Sequence, residues 1–133
     1  MKTRTLVVAA LLSLAACSKE EKQSPAASGG APAVVDAWKK AGLTVGAMDT
    51  VDGAKYGGGD CKAGQVSGVD TVLCTYATPD AAKTAAAAGL EAVGEATGSA
   101  IAQGKVLLVV ADRRKADPEG RTINQMTKLF RGK

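Results

Sequence analysis

The chain has 133 residues and is 46% hydrophobic, yet only four residues are aromatic, against 26 Ala and 16 Gly. Its core is therefore expected to be built from small residues and branched aliphatics, without large ring stacks. Histidine is absent, which excludes Ser-His-Asp and Cys-His catalysis and every His-containing metal site, and the formal charge of +4, two units of it at Lys2 and Arg4, is too small for a nucleic-acid binder.

The N-terminus has the layout of a secretion signal. Lys2 and Arg4 form a basic start, and Leu6 to Leu14 is an apolar run too short to span a bilayer. It ends in Leu14-Ala15-Ala16-Cys17. This resembles the bacterial lipobox, in which a branched aliphatic, two small residues and a Cys mark a lipoprotein precursor. The resemblance implies diacylglyceryl transfer to the Cys17 thiol, cleavage before Cys17 (removing residues 1–16) and acylation of the new amine. Several acyl chains on one residue anchor durably, where one chain is marginal. The alternative is an ordinary signal peptide cut after Ala15, with Ser13 at the −3 position and Cys17 left free. Ser18 follows the Cys; in enterobacterial lipoproteins an Asp there favours inner-membrane retention, so Ser18 implies the outer membrane, facing the periplasm. Residues 17–32 then read as the lipidated Cys and a flexible tether, polar and interrupted by Pro25 and Pro32.

With Cys17 assigned to lipid, Cys61 and Cys74 remain. In an oxidising compartment two leftover thiols most simply form a disulfide. A redox pair is the other reading, but there is no Cys-x-x-Cys and neither Cys precedes an evident helix.

The body, residues 33–133, is expected to be one domain. Val34, Trp38 and Ala41 recur at i, i+4, i+7 and predict a short helix stopped by Gly42. Thr44 to Val51 alternates as a strand, Asp52-Gly53 turns, and Gly57-Gly58-Gly59-Asp60 reads as loop. A second strand is expected over Val66 to Tyr76, with apolar residues on both faces, so its core side is undecided. Thr78-Pro79-Asp80 starts a helix that should run to about Thr97, stop at Gly98, and bury Ala82, Ala86, Leu90 and Val93. Ser99 to Gln103 reads as a short strand. The run Val106 to Ala111 suits a central strand covered on both faces. Asp117-Pro118 caps a last helix with Ile123, Met126 and Phe130 inward. The sum is an α+β domain of order α-β-β-α-β(β)-α: two layers, with an antiparallel or mixed sheet of three to four strands.

Chemistry-bearing patterns are few. The glycine loop lacks the Gly-Lys-Ser/Thr ending of a phosphate cradle, and Asp49, Asp52, Asp60 and Asp70 have no spacing of a known pair or Ca²⁺ loop. The most distinctive stretch follows the last strand, where Arg113, Arg114, Lys115 and Arg121 cluster as candidates for an anionic partner or lipid head. Their bland reading is a solvated loop paired with Asp112, Asp117 and Glu119. Asp117, Gly120, Asn124 and Arg131 are faintly similar to the Asp…Gly…Asn…Arg motif of OmpA-like peptidoglycan-binding domains. In that family a helix-start Asp and a downstream Arg hold diaminopimelate. Here Asn124 comes one residue early and the Leu-Ser before the Arg is missing.

The expectation is a non-enzymatic envelope lipoprotein: a small binding domain held at the membrane by its lipid, with an envelope protein or peptidoglycan as partner and no nucleic acid. No metal or cofactor is called for. The alternatives are direct binding of peptidoglycan or anionic lipid through residues 113–121, and an enzyme using carboxylates alone.

Overall fold

The computed structural model describes residues 25–132; the signal segment 1–16, Cys17 and residues 18–24 of the expected tether lie outside them. The described chain is a small α+β domain with a five-stranded, wholly antiparallel sheet. A 3₁₀ turn (Ala26–Gly29) leads into α1 (Gly30–Lys40), then β1 (Asp49–Val51), a second 3₁₀ turn (Gly53–Tyr56), β2 (Asp60–Val66) and β3 (Val69–Thr75). After these come α2 (Pro79–Val93), β4 (Thr97–Gln103), β5 (Val106–Asp112) and α3 (Arg121–Arg131). The strands lie in the order β1-β2-β3-β5-β4. Among the described residues no helix is long and apolar enough to cross a membrane.

Helical structure is present on the N-terminal side of the expected boundary at residue 33. Ala27 is buried in the core, and α1 starts at Gly30, with Pro32 in its first turn, where a missing N–H costs nothing.

Five strands replace the expected three or four, because the segment 60–76 is a hairpin rather than loop and one strand. Its turn is Ser67-Gly68, with φ of 48° and 86°, the doubly positive geometry whose twist matches a two-residue hairpin. Strand β1 is shorter than the alternation of 44–51 implies. Val45 bridges Val66 and Asp49 pairs with Ala63, so four steps along one chain match three along the other. That is a bulge, and it falls at 46–48.

Helices cover both faces of the sheet, so the domain has three layers instead of two. On one face Val34 and Trp38 of α1 and Ile123, Met126 and Phe130 of α3 pack on Val66, Val69, Leu73, Val106, Leu108 and Val110. On the other face Ala82, Ala85 and Val93 of α2 pack on Cys74, Leu107, Val109 and Ala111. The reason lies in β3 and β5, whose side chains are apolar on both faces and need cover on each. The open question about strand 66–76 is thereby answered: Val69 and Leu73 face α1 and α3, while Cys74 and Tyr76 face α2. All seven residues of β5 are buried: Val106 to Ala111 as their apolar run predicts, and Asp112, whose carboxylate is taken up by backbone N–H groups.

Trp38 ties the helical layer together. It is fully buried, and its indole Nε1–H donates to the Met126 carbonyl at 3.2 Å, giving the one polar atom of that ring a partner.

Helix α2 begins as the sequence predicts, with the Thr78 hydroxyl accepting from the Ala81 N–H at 3.1 Å. It ends earlier, at Val93, where Gly94 takes a φ of 62°. Its buried stripe is also rotated: Ala82, Ala85, Gly89 and Val93 face inward, and Leu90 is 58% exposed. Gly89 decides this. A Cβ there would stand 2.8 Å from Val109 Cγ2 and 3.1 Å from Ala100 Cβ, so the bare backbone is what lets the helix settle onto β4 and β5.

Candidate binding surface

A cleft of about 330 Å³ opens between α1 and the bulged approach to β1, within the size range of small ligand sites. Ala31 and Val35 of α1, Met48 of the bulge and Leu73 of β3 give it an apolar lining; Asp36, Lys39 and Lys62 stand among its polar groups. Trp38 fixes α1 by its bond to α3, leaving Val35, one residue past the buried Val34, half-buried at the cleft. The opposite wall exists because of Gly64. A Cβ on Gly64 would lie 2.4 Å from the Ala47 carbonyl oxygen and 2.6 Å from Met48 Sδ, so the bulge leans over β2 only where a side chain is absent. Sequence reasoning missed this cleft. Its signals, Val35 beside Asp36 and Met48 beside a glycine, make sense only once the bulge is known.

The predicted disulfide is present. Cys61 and Cys74 are directly opposed on β2 and β3, with Cα atoms 4.0 Å apart, the close spacing of an antiparallel pair without exchanged hydrogen bonds. Both are buried against Tyr76 and the α2 layer. The glycine loop before them is ordered: Gly58 N–H donates to the Gly53 carbonyl at 2.8 Å, and Gly59 lies against Tyr76, where a Cβ would come 2.7 Å from the ring. The Tyr76 hydroxyl donates to the Tyr56 carbonyl, and burial raises its pKa above the ordinary value of 10.0.

The basic segment is divided by the fold. Arg113 is turned onto the end of α2: its guanidinium donates to the Ala92 carbonyl at 2.6 Å and the Val93 carbonyl at 3.3 Å, and lies 3.8 Å from Asp70. A cation on the last carbonyls of a helix complements its dipole. Arg121 pairs with Glu119 at 2.7 Å, both well exposed. Arg114 and Lys115 are exposed and form no ion pair among the described residues. The four candidates thus do not converge on one site.

Two buried aspartates organise this loop. Asp112 accepts from the N–H groups of Ala116 and Asp117, each at 2.9 Å. Asp117 accepts from Thr122 at 3.1 Å and Ile123 at 2.9 Å, capping α3 as expected, although from three residues before the helix's flanking Gly120. Asp117 therefore spends both carboxylate oxygens on the backbone. Gly120, Asn124 and Arg131, the other residues similar to the peptidoglycan-binding motif, line a shallow groove between α3 and β4. Among the described residues no cluster of His, Cys, Asp or Glu is arranged to hold a metal ion.

No protein-family model matches the chain, and no curated protein or solved structure matches it.

Proposed function

We propose that the chain is a lipid-anchored lipoprotein of the cell envelope, held in the outer membrane and facing the periplasm, whose small domain binds another macromolecule and catalyses no reaction. The observation that carries this reading is the cysteine inventory. The Cys61–Cys74 bridge occupies two of three cysteines and suits an oxidising compartment. The third is Cys17, set at the end of the apolar leader within Leu14-Ala15-Ala16-Cys17. The cleft beside α1 supports binding. Its apolar floor accepts a side chain, and Lys39 and Lys62 against the single carboxylate of Asp36 favour a partner segment carrying a carboxylate next to that side chain.

The test is fractionation combined with site-specific photocrosslinking in the native cell. The full chain should sediment with membranes, and Cys17→Ser should move it to the soluble fraction. A photoreactive side chain at Val35 should trap one discrete envelope species, whereas one at Thr84, on the outer surface of α2, should not. Unchanged membrane association of the Cys17→Ser variant, or equal trapping from both positions, would contradict the proposal.

A second reading, attraction to anionic lipid or peptidoglycan through the basic segment, is supported by the exposure of Arg114 and Lys115. It predicts salt-sensitive cosedimentation of the protein with acidic vesicles or sacculi, lost on charge removal at these two positions. Absence of cosedimentation at low salt removes it.

A further inference from the structure

We infer that the outer faces of α1 and α3 form the surface by which this domain lies against the anionic lipid of its own membrane. The inference rests on the lipid anchor proposed at Cys17 and adds an orientation to it.

The first observation is charge. Helices α1 and α3 form one layer over the sheet, and α2 forms the other. The first layer carries five cations, Lys39, Lys40, Arg121, Lys128 and Arg131, against one carboxylate, Asp36. The second carries one cation, Lys83, against Asp80 and Glu91, and Glu95 follows just beyond its end. All of these side chains are exposed. The domain is therefore basic on one helical face and acidic on the other.

Burial shows where the α3 cations point. Ile123, Met126 and Phe130 are buried; at about 100° per residue, Arg121 and Lys128 stand on the opposite side of the helix, with Asn124 and Gln125 between them. No carboxylate belongs to α3. Arg121 shares its charge with Glu119, but Lys40, Lys128 and Arg131 have no ion pair among the described residues. Each Lys or Arg brought close to an anionic bilayer strengthens binding about fivefold.

The second observation is where the anchored end of the chain enters. The 3₁₀ turn Ala26–Gly29 packs on α1 and α3, with Ala27 buried in the core they share. The chain from Cys17 thus joins the basic layer and not the acidic one. Pro25 follows Cys17 by eight residues, a span of at most about 28 Å. Attraction between exposed charges is screened beyond about 8 Å at physiological salt, so it acts only if the basic layer itself faces the lipid, and the point of entry brings that layer there. Charge and point of entry are independent, and they select the same face. An anionic bilayer fits both, whereas the cell wall would fit the charge alone.

The experiment uses the full lipidated chain in phosphatidylcholine vesicles, with or without phosphatidylglycerol, carrying nitroxide on some headgroups. A fluorophore is attached at Gln125→Cys on α3 or at Thr84→Cys on the outer surface of α2, both exposed positions. Flotation with neutral vesicles at high salt reads the anchor alone. With phosphatidylglycerol at low salt, the nitroxide should quench the α3 label about threefold more than the α2 label, and high salt or neutral lipid should abolish the difference. Lys40→Glu combined with Lys128→Glu should abolish it too, and Lys83→Glu on α2 should leave it in place; unchanged melting temperatures confirm intact folds. Equal quenching at both positions, stronger quenching at Thr84, or a difference that persists in neutral vesicles would overturn the inference and leave the anchor standing. Failure to float with neutral vesicles would overturn both. Retention by peptidoglycan sacculi in preference to acidic vesicles, lost in the same double reversal, would assign the layer to the cell wall and overturn the inference.

Discussion

At one end of the sheet β1 contributes three residues, Asp49-Thr50-Val51, reached through a bulge and carrying a carboxylate; at the other, β4 contributes seven uncharged residues in unbroken register with β5. The β1 end is finished by its own sequence. The bulge shortens it, the charge repels a newcomer, and the displaced backbone becomes the wall of a cleft. The β4 end has none of these devices. What it has is a thin helix seated over it, with one leucine turned outward. The comparison teaches that the same antiparallel sheet can end in an edge shortened by a bulge, which shapes a cleft, and in a long edge that carries none of these devices.

The two ends are also held differently, and this can be broken most strongly at the β2–β3 hairpin. Replacing Cys61 and Cys74 together by Ala releases the only covalent staple among the described residues. It should cost about 3 kcal/mol, roughly 15 °C in melting temperature. Hydrogen exchange should rise in β1 to β3 more than in β4 and β5; a uniform rise would show that the bridge does not favour one end. On the β4 side the corresponding break is Gly89→Val, which drives a side chain into Val109 and Ala100. Urea denaturation should register a loss of about 2 kcal/mol, and an unchanged midpoint would mean that α2 is not seated as described.

A smaller effect is expected where the basic loop joins α3. Asp117→Ala removes two backbone bonds at the helix start and should cost about 1–2 kcal/mol, whereas Glu119→Ala, losing only an exposed pair, should stay within about 0.5 kcal/mol. Equal losses would remove Asp117 from its capping role.

At alkaline pH the phenol of Tyr76 sharpens the account of the stapled end. Burial raises its folded pKa above 10.0, so the unfolded chain releases its proton first. This contribution to stability is intact below pH 10 and is lost as pH rises through and beyond that value. The Tyr76→Phe variant should lose less stability between pH 9 and 11 than the wild type does. The smallest effect is predicted at the closed edge itself: Thr50→Lys, at an exposed position of β1, should change stability by no more than about 0.5 kcal/mol, and a larger loss in urea denaturation would show that this edge is not open to solvent.

Much of the fold was legible where local signals agreed with burial. The Thr78-Pro79-Asp80 start, the inward stripe Ile123-Met126-Phe130, the buried run of β5 and the cysteine pair all stand as their residues predict. The misreadings occurred at glycines. Gly64 gave β2 no side chain to mark it as strand, and it is bare so that the bulge can lean across it; Gly89 gave no sign that it is the contact that turns Leu90 outward. In each case the missing side chain answers a neighbour distant in sequence, which no local pattern carries. The cleft was illegible for the same reason. The basic segment stood out in the sequence, but the fold commits Arg113 to a helix end and Arg121 to a neighbouring carboxylate.

The proposed function depends on attachment of the domain to a membrane, and that proposal rests on one residue, Cys17. Mass spectrometry of the N-terminal fragment of the protein isolated from its native membranes tests it most directly. The account predicts a fragment beginning at Cys17, with a diacylglyceryl thioether and an amide-linked acyl chain. A fragment still carrying residues 1–16, one beginning at Ala16, or an unmodified Cys17 thiol would contradict it.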